Sequence, residues 1–320
     1  MNFPLGWIPF TRRTLAMNHA HDAALLSMRP QFMLTGSAPD PGPLVNLMAT
    51  WKHDKIIKTL GGPFPGIRQV TGSCVGAGGG NACFTLGAIE ILLNNEAEEL
   101  IIPFWLLPYG ISRMLIGESS EGEGSLGSAF AEAVVKYGVF GQQESNVPKY
   151  ENSDGFCWGQ QNEMRWSNGR AIKPEFLNIA KKHLIKSAAP IKSAAEGRDA
   201  IRNGYPLTFA SPWFMTPGAE RLQGSKEPAV VGALSSNGGH QTSIEAVWDH
   251  PELGLIFWNE NQWQRKTYKE DPTIGSGSGC FMTERDFDKV AKSRDGEIYA
   301  LSQYDGYPAQ SIPWSSILPL

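Results

Sequence analysis

The sequence predicts an α+β protein of two lobes preceded by an N-terminal arm, and three observations predict it. Helix-like runs dominate residues 61–170, strand-like runs separated by turns dominate 171–320, and no regular strand–helix alternation appears. With 320 residues, 41% of them hydrophobic and 19% charged, the chain can bury a substantial core and has neither a collagen period nor the composition of a disordered chain.

Residues 1–60 read as a mixed arm, with a helical stretch near Ala20 to Met28 and a Pro-rich turn from Gly36 to Pro43. The run Gly61-Gly62-Pro63-Phe64-Pro65-Gly66 marks a boundary. A helix follows from Cys74 through Phe84, Leu86, Ile89 and Leu93 to the polar Asn94-Asn95. Ile101 to Ile116 is apolar and reads as helical despite Pro103 and Pro108. The acidic loop Gly117 to Gly124 leads into an amphipathic helix that runs from Ser125 to Val135 and stops at Gly138. Gln142 to Gly169 shows no period and reads as loop. Phe176 to Ile185 fits a short helix or a strand, and Ala194 to Asn203 a helix closed by Gly204. Strands are expected at Pro206 to Ala210, His240 to Trp248 and Leu255 to Trp263, with a turn at Asp249 to Gly254.

Charge and composition exclude several functions. The formal charge is −4, with 28 basic and 32 acidic side chains well mixed, which is not the footprint of a nucleic-acid binder. Lys181, Lys182 and Lys186 read as the solvated face of a helix. No apolar run is expected to reach the roughly 18–20 residues of a membrane span. The N-terminus, with Pro4, Trp7 and Arg12-Arg13, lacks a secretory h-region, so the chain is expected in the cytoplasm or in a particle assembled there. Four cysteines make no disulfide scaffold. Gly76-Ala77-Gly78-Gly79-Gly80-Asn81 departs from the dinucleotide fingerprint because Asn81 stands at its third glycine, and no Walker A lysine motif occurs. His19 and His21 would face opposite sides of a helix and cannot chelate together, so no metal or cofactor is expected.

Two features carry chemistry. Cys74 sits at a helix N-terminus, where the macrodipole favours thiolate over thiol. Gly238-Gly239-His240 opens one strand, and Asn259, Asn261 and Trp263 share a face at the end of the next. If the two strands form a hairpin, His240 lies near Asn261 or Trp263, where an amide could fix one imidazole tautomer. The other histidines, His19, His21, His53, His183 and His250, read as structural or exposed.

In this order, with Gln69 ahead of Cys74, Gly239-His240 opening a strand and Asn261-Gln262-Trp263 following, the chain resembles the papain-like cysteine peptidases, bacterial and viral members most closely. The likeness runs from Gln69 to the C-terminus. Gly124-Ser125-Leu126 and Lys136-Tyr137-Gly138-Val139 are similar to the family's second helix and its exit, and Ala200 to Leu207 to the entry into its β lobe. The resemblance implies a papain-like fold with a helical lobe carrying Cys74 and a strand-rich lobe carrying His240 and Asn261. It implies a Cys74 thiolate nucleophile, a His240 imidazolium, Asn261 (or else Asn259) orienting His240, and Trp263 shielding that bond. The Cys74 N–H and the Gln69 amide would hold the oxyanion. The substrate implied is a polypeptide, without metal or cofactor. The alternatives are a structural or binding component of a larger, possibly viral, assembly, with Trp7, Phe10 and Trp51 packing on a partner, and a Cys-His-Asn amidase.

Overall fold

Two hydrophobic clusters meeting at one long buried helix organise the computed structural model, which describes residues 6–8, 11–28, 43–62, 64, 66–94, 100, 102–118, 120, 122–141, 147, 157–221, 230–235, 238–263 and 279–302. Its helices are α1 (Arg12–Met28), α2 (Asp54–Leu60), α3 (Cys74–Asn94), α4 (Leu106–Leu115), α5 (Gly127–Lys136), α6 (Gly159–Ser167), α7 (Pro174–Ala180), α8 (Ala194–Arg202) and α9 (Glu284–Ala291). Its strands are β1 (Leu44–Asn46), β2 (Ala188–Pro190), β3 (Leu207–Ser211), β4 (Phe214–Arg221), β5 (Val230–Ser235), β6 (His240–His250), β7 (Gly254–Glu260), β8 (Cys280–Thr283) and β9 (Glu297–Leu301). They form one sheet in the order β2-β9-β3-β6-β7-β8-β5-β4, with β1 added on β6. All pairs are antiparallel except β5 with β8. The chain is α+β.

The sheet follows from its residues. β6 and β7 are joined by a turn closed at Gly254, whose φ of 69° is left-handed and open to glycine without strain. Almost every residue of β6 is buried, because β1, β3 and β7 pair with it and α3 packs across it. α8 and α9 cover the other face, starting at Ser193 and Thr283, whose hydroxyls accept from Glu196 N and Asp286 N.

The glycine run in α3 sets how near the two lobes come. A Cβ on Gly79 would lie 2.1 Å from the Phe130 ring of α5, and one on Gly78 would lie 3.0 Å from the Gln241 and Thr242 carbonyl oxygens of β6. A Cβ on Gly76 would lie 2.7 Å from both Trp105 and Tyr109, and one on Gly80 2.7 Å from Ile67 and 2.9 Å from Trp105. Each helical glycine costs up to about 1 kcal/mol relative to alanine, and here that cost secures close packing of helix against strand backbone and aromatic rings.

Several elements differ from the sequence reading. α1 starts at Arg12, upstream of Ala20, and of the Gly36–Pro43 turn only Pro43 lies within the described residues. Gln142–Gly169 is not all loop. It contains α6, whose buried residues are Gly159, Glu163, Trp166 and Ser167, a mixture that gives no apolar period. The helix in the Ile101–Ile116 run is confined to α4: Pro103 pairs with Gly141 in an isolated bridge, while Pro108 sits in the first turn, where its missing N–H is not needed. Phe176–Ile185 resolves into the end of α7 and a 3-10 turn, Lys181–His183. β7 ends at Glu260, so Asn261 and Trp263 follow the strand. Finally, α3 is long and apolar enough to cross a membrane by length and composition, contrary to expectation, but it is the enclosed core helix of this fold.

Candidate active site

Cys74 is the first residue of α3. Ser73 precedes it, and the Ser73 carbonyl accepts from Gly76 N (2.9 Å) and Ala77 N (3.1 Å), which starts the helix. The Cys74 sulfur accepts from the backbone N–H of Gln241 at 3.4 Å, and the Gln241 side chain donates back to the Val75 carbonyl at 3.0 Å. The start of α3 is thereby fastened to the first residues of β6, beside His240.

His240 opens β6 opposite Ser211 of β3. Its Nε2 meets Asn261 Oδ1 at 3.0 Å. The same Asn261 oxygen accepts from Gln262 N at 2.8 Å, which fixes the amide's orientation. Trp263 stacks on the imidazole, with ring centroids 4.3 Å apart and planes inclined by 25°. Asn259 is directed elsewhere: its amide donates to Thr242 Oγ1 at 2.7 Å. The end of β7 at Glu260 separates the two asparagines, which simple alternation placed on one face.

Gln69 is buried ahead of α3. Its backbone N–H donates to the Gln262 carbonyl at 3.2 Å, tying this loop to the Asn261 segment, and its side-chain amide donates to the Thr71 carbonyl at 2.9 Å. Val70, Thr71 and Ser73 converge on Glu163 of α6, a wholly buried carboxylate absent from the sequence reading.

The arm enters this site. Trp7 forms a parallel bridge with Ser125: Ser125 N donates to the Gly6 carbonyl at 2.9 Å and Ile8 N to the Ser125 carbonyl at 3.0 Å. The Gly6 backbone is packed against the Gly72 carbonyl, and its N–H is among the backbone groups that favour the Cys74 thiolate. The Trp7 ring covers Gly239, and its Nε1 donates to Glu297 at 2.6 Å; that carboxylate also caps α5 through Gly127 N (3.0 Å) and Ser128 N (2.9 Å). α1 then docks through His21 on Glu132 and Asp22 on the Tyr299 hydroxyl. Trp7 and Trp51 are both buried within the chain, so neither is a free docking surface, and Phe10 lies outside the described residues. His19 is exposed while His21 is buried, so the two diverge.

Under this cover the electrostatics differ from the sequence expectation. Burial pushes the Cys74 thiol up to about 12, against the backbone N–H groups of Gln241, Gly6, Val75 and Cys74 itself, which favour the thiolate. Burial lowers His240 to about 4, with the Asn261 hydrogen bond opposing it. With the arm in place, the neutral thiol and neutral imidazole are favoured over the ion pair. The helix N-terminus and the inward N–H groups are overruled by desolvation.

No protein-family model and no curated protein matches the sequence. Among solved structures, the chain is similar to xylellain, a cysteine protease from Xylella fastidiosa, with a TM-score of 0.55 at 16% identity over 94% of this chain and 96% of that one. It also aligns with procathepsin B S9 from Trypanosoma congolense (TM-score 0.47, 9% identity, 93% of this chain and 82% of that one). A third is the bromelain protease from Ananas comosus (TM-score 0.43, 10% identity, 82% and 99%). On the match to xylellain, this chain has the papain-like fold of cysteine proteases.

Proposed function

We propose that the chain is a papain-like cysteine endopeptidase of the bacterial or viral type. The observation that carries this reading is one arrangement: a cysteine at the start of the core helix hydrogen-bonded to the residue after His240, with His240 held by Asn261 and stacked on Trp263. In this reading the Cys74 thiolate attacks the peptide carbonyl, and the Cys74 N–H, with Gln69, receives the oxyanion. His240, as imidazolium, protonates the departing amine. Water, deprotonated by His240, then hydrolyses the thioester, releasing the acid and restoring the Cys74 thiolate and His240 imidazolium.

A second reading, a binding or structural component with little turnover, is favoured by one observation: the chain's own Gly6–Ile8 segment packs on Gly72 and Gly239, beside Cys74 and His240, and burial favours the neutral thiol and imidazole there. Hydrolysis of casein and of short fluorogenic peptides by the intact chain, compared with Cys74→Ala, tests the first reading. Turnover lost in the variant supports it. Equal rates with both chains, or none with either, sink it, and cleavage of crosslinked peptidoglycan in place of casein would indicate an amidase.

A further inference from the structure

The turn Val70-Thr71-Gly72-Ser73 delivers Cys74, and its polar groups are buried where water cannot satisfy them. Glu163 satisfies most of them from one side. Its Oε1 accepts from Val70 N at 3.0 Å. Its Oε2 accepts from Thr71 N at 2.9 Å, Thr71 Oγ1 at 2.6 Å and Ser73 Oγ at 2.7 Å. An ionised carboxylate only accepts, so four converging donors match that form. On the other side the Gly72 carbonyl accepts from Gly124 N at 2.9 Å and from the Tyr109 hydroxyl at 3.3 Å.

The clamp is rigid at its root. Arg113 of α4 donates to the Ser167 carbonyl at the end of α6 (2.8 Å), and the Ser167 hydroxyl accepts from Gly122 N at 3.2 Å. Ser73 is held at both ends, its hydroxyl on Glu163 and its carbonyl on the first turn of α3. The next backbone N–H along the chain is that of Cys74.

We propose that Glu163 is a positioning residue for the reaction: it sets the Val70–Ser73 turn so that the Cys74 N–H and sulfur stand where an oxyanion forms. This rests on the peptidase reading above. A wholly buried carboxylate is costly to maintain, and a packing role alone would be met by an uncharged side chain of the same size. Glu163→Gln keeps that size and replaces one acceptor oxygen with a donor that meets the Val70 or Thr71 N–H head-on.

The test uses the full chain and its Glu163→Gln, Glu163→Ala and Thr71→Val variants, with rates normalised to titrated Cys74. The expected result is a fall in kcat of about 10-fold for Glu163→Gln and about 100-fold for Glu163→Ala, that is, below and at the lower end of the roughly 100- to 1000-fold cost of losing an oxyanion donor outright. KM should stay within about twofold, and Thr71→Val should fall between wild type and Glu163→Gln. A peptide aldehyde, whose hemithioacetal needs the oxyanion donor, should weaken by the same factor as kcat, while the matching peptide amide binds unchanged. Unchanged kcat per titrated site in folded Glu163→Gln overturns the proposal, as does equal weakening of aldehyde and amide. Loss of folding in all three variants overturns it in favour of a scaffold role. Wild type that neither turns over nor binds the aldehyde sinks the peptidase reading, and this proposal with it.

Discussion

The Cys74 side and the His240 side of the candidate site are built by opposite means. Cys74 is placed by backbone: a helix start, a turn clamped by Glu163, and glycines that bring α3 to within van der Waals contact of β6 and Phe130. His240 is placed by side chains, the Asn261 amide and the Trp263 ring, both supplied just after β7 has ended. Disturbing the first should therefore cost fold and activity together, and disturbing the second activity alone.

The largest expected effect tests the shared premise. Cys74→Ala should lower peptide turnover by at least about 10³-fold with the melting temperature nearly unchanged, since a buried thiol is replaced by a smaller apolar group. Retained turnover would remove the reason for comparing the two sides as a catalytic pair. Next comes Gly79→Ala, whose new methyl would meet the Phe130 ring at 2.1 Å. Overpacking of this kind costs about 1–3 kcal/mol, so denaturant titration should show a clear loss of stability along with activity. A neutral outcome would mean that the lobes are not held at contact distance by this helix.

On the other side, Asn261→Ala should lower kcat by about 10- to 100-fold, a share of what general acid–base catalysis contributes, at unchanged denaturation midpoint. If Asn259→Ala does so instead, the Thr242 contact has been misjudged as structural. Trp7→Ala removes the cover over Gly239 and the bond to Glu297, and should speed iodoacetamide alkylation of Cys74 near pH 7 by about 10-fold as the thiol regains water. An unaltered rate would show that the arm does not govern the thiol.

The smallest effect concerns Glu245 of β6, which joins the two sides. It accepts from Thr85 of α3 and from Ser243, each at 2.6 Å, and Trp51 donates to Thr85 at 3.0 Å. Burial, reinforced by the neighbouring Glu260, raises its carboxyl to about 8. The folded state therefore keeps a proton that the unfolded state releases above its ordinary value near 4.3. Its contribution is fully present below that unfolded value and is lost as pH rises toward 8, by at most about 1.4 kcal/mol per pH unit. Melting measured from pH 5 to pH 8.5 should show a decline that Glu245→Gln flattens; parallel profiles for the two chains would refute the assignment.

Much of this arrangement is legible in the sequence, and what is not has physical reasons. Cys74 at a helix start, His240 opening a strand and the turn ending at Gly254 follow from local patterns that the fold retains. Asn261 and Asn259 are not separated by pattern, because the strand ends at Glu260, between them. Glu163 was hidden because α6 buries a charged residue and a glycine on its inner face, which no hydrophobic period reveals. Trp7 was hidden for another reason: its partners, Ser125, Gly239 and Glu297, are far away in the chain and none of them is complementary to it in pattern.

The Gly6–Ile8 segment is covalently part of the molecule whose Cys74 turn and Gly239 it covers. A tethered segment competes at an effective concentration on the order of millimolar when its linker spans the gap well, and the docking of α1 through His21 and Asp22 shortens that linker. On the peptidase reading, a peptide in solution would meet only the fraction of molecules with this segment displaced, and its apparent affinity would be scaled down by that fraction. Measured binding to this cleft is accordingly a joint property of the peptide and the arm, and changes in α1, distant from Cys74, should appear as changes in apparent affinity.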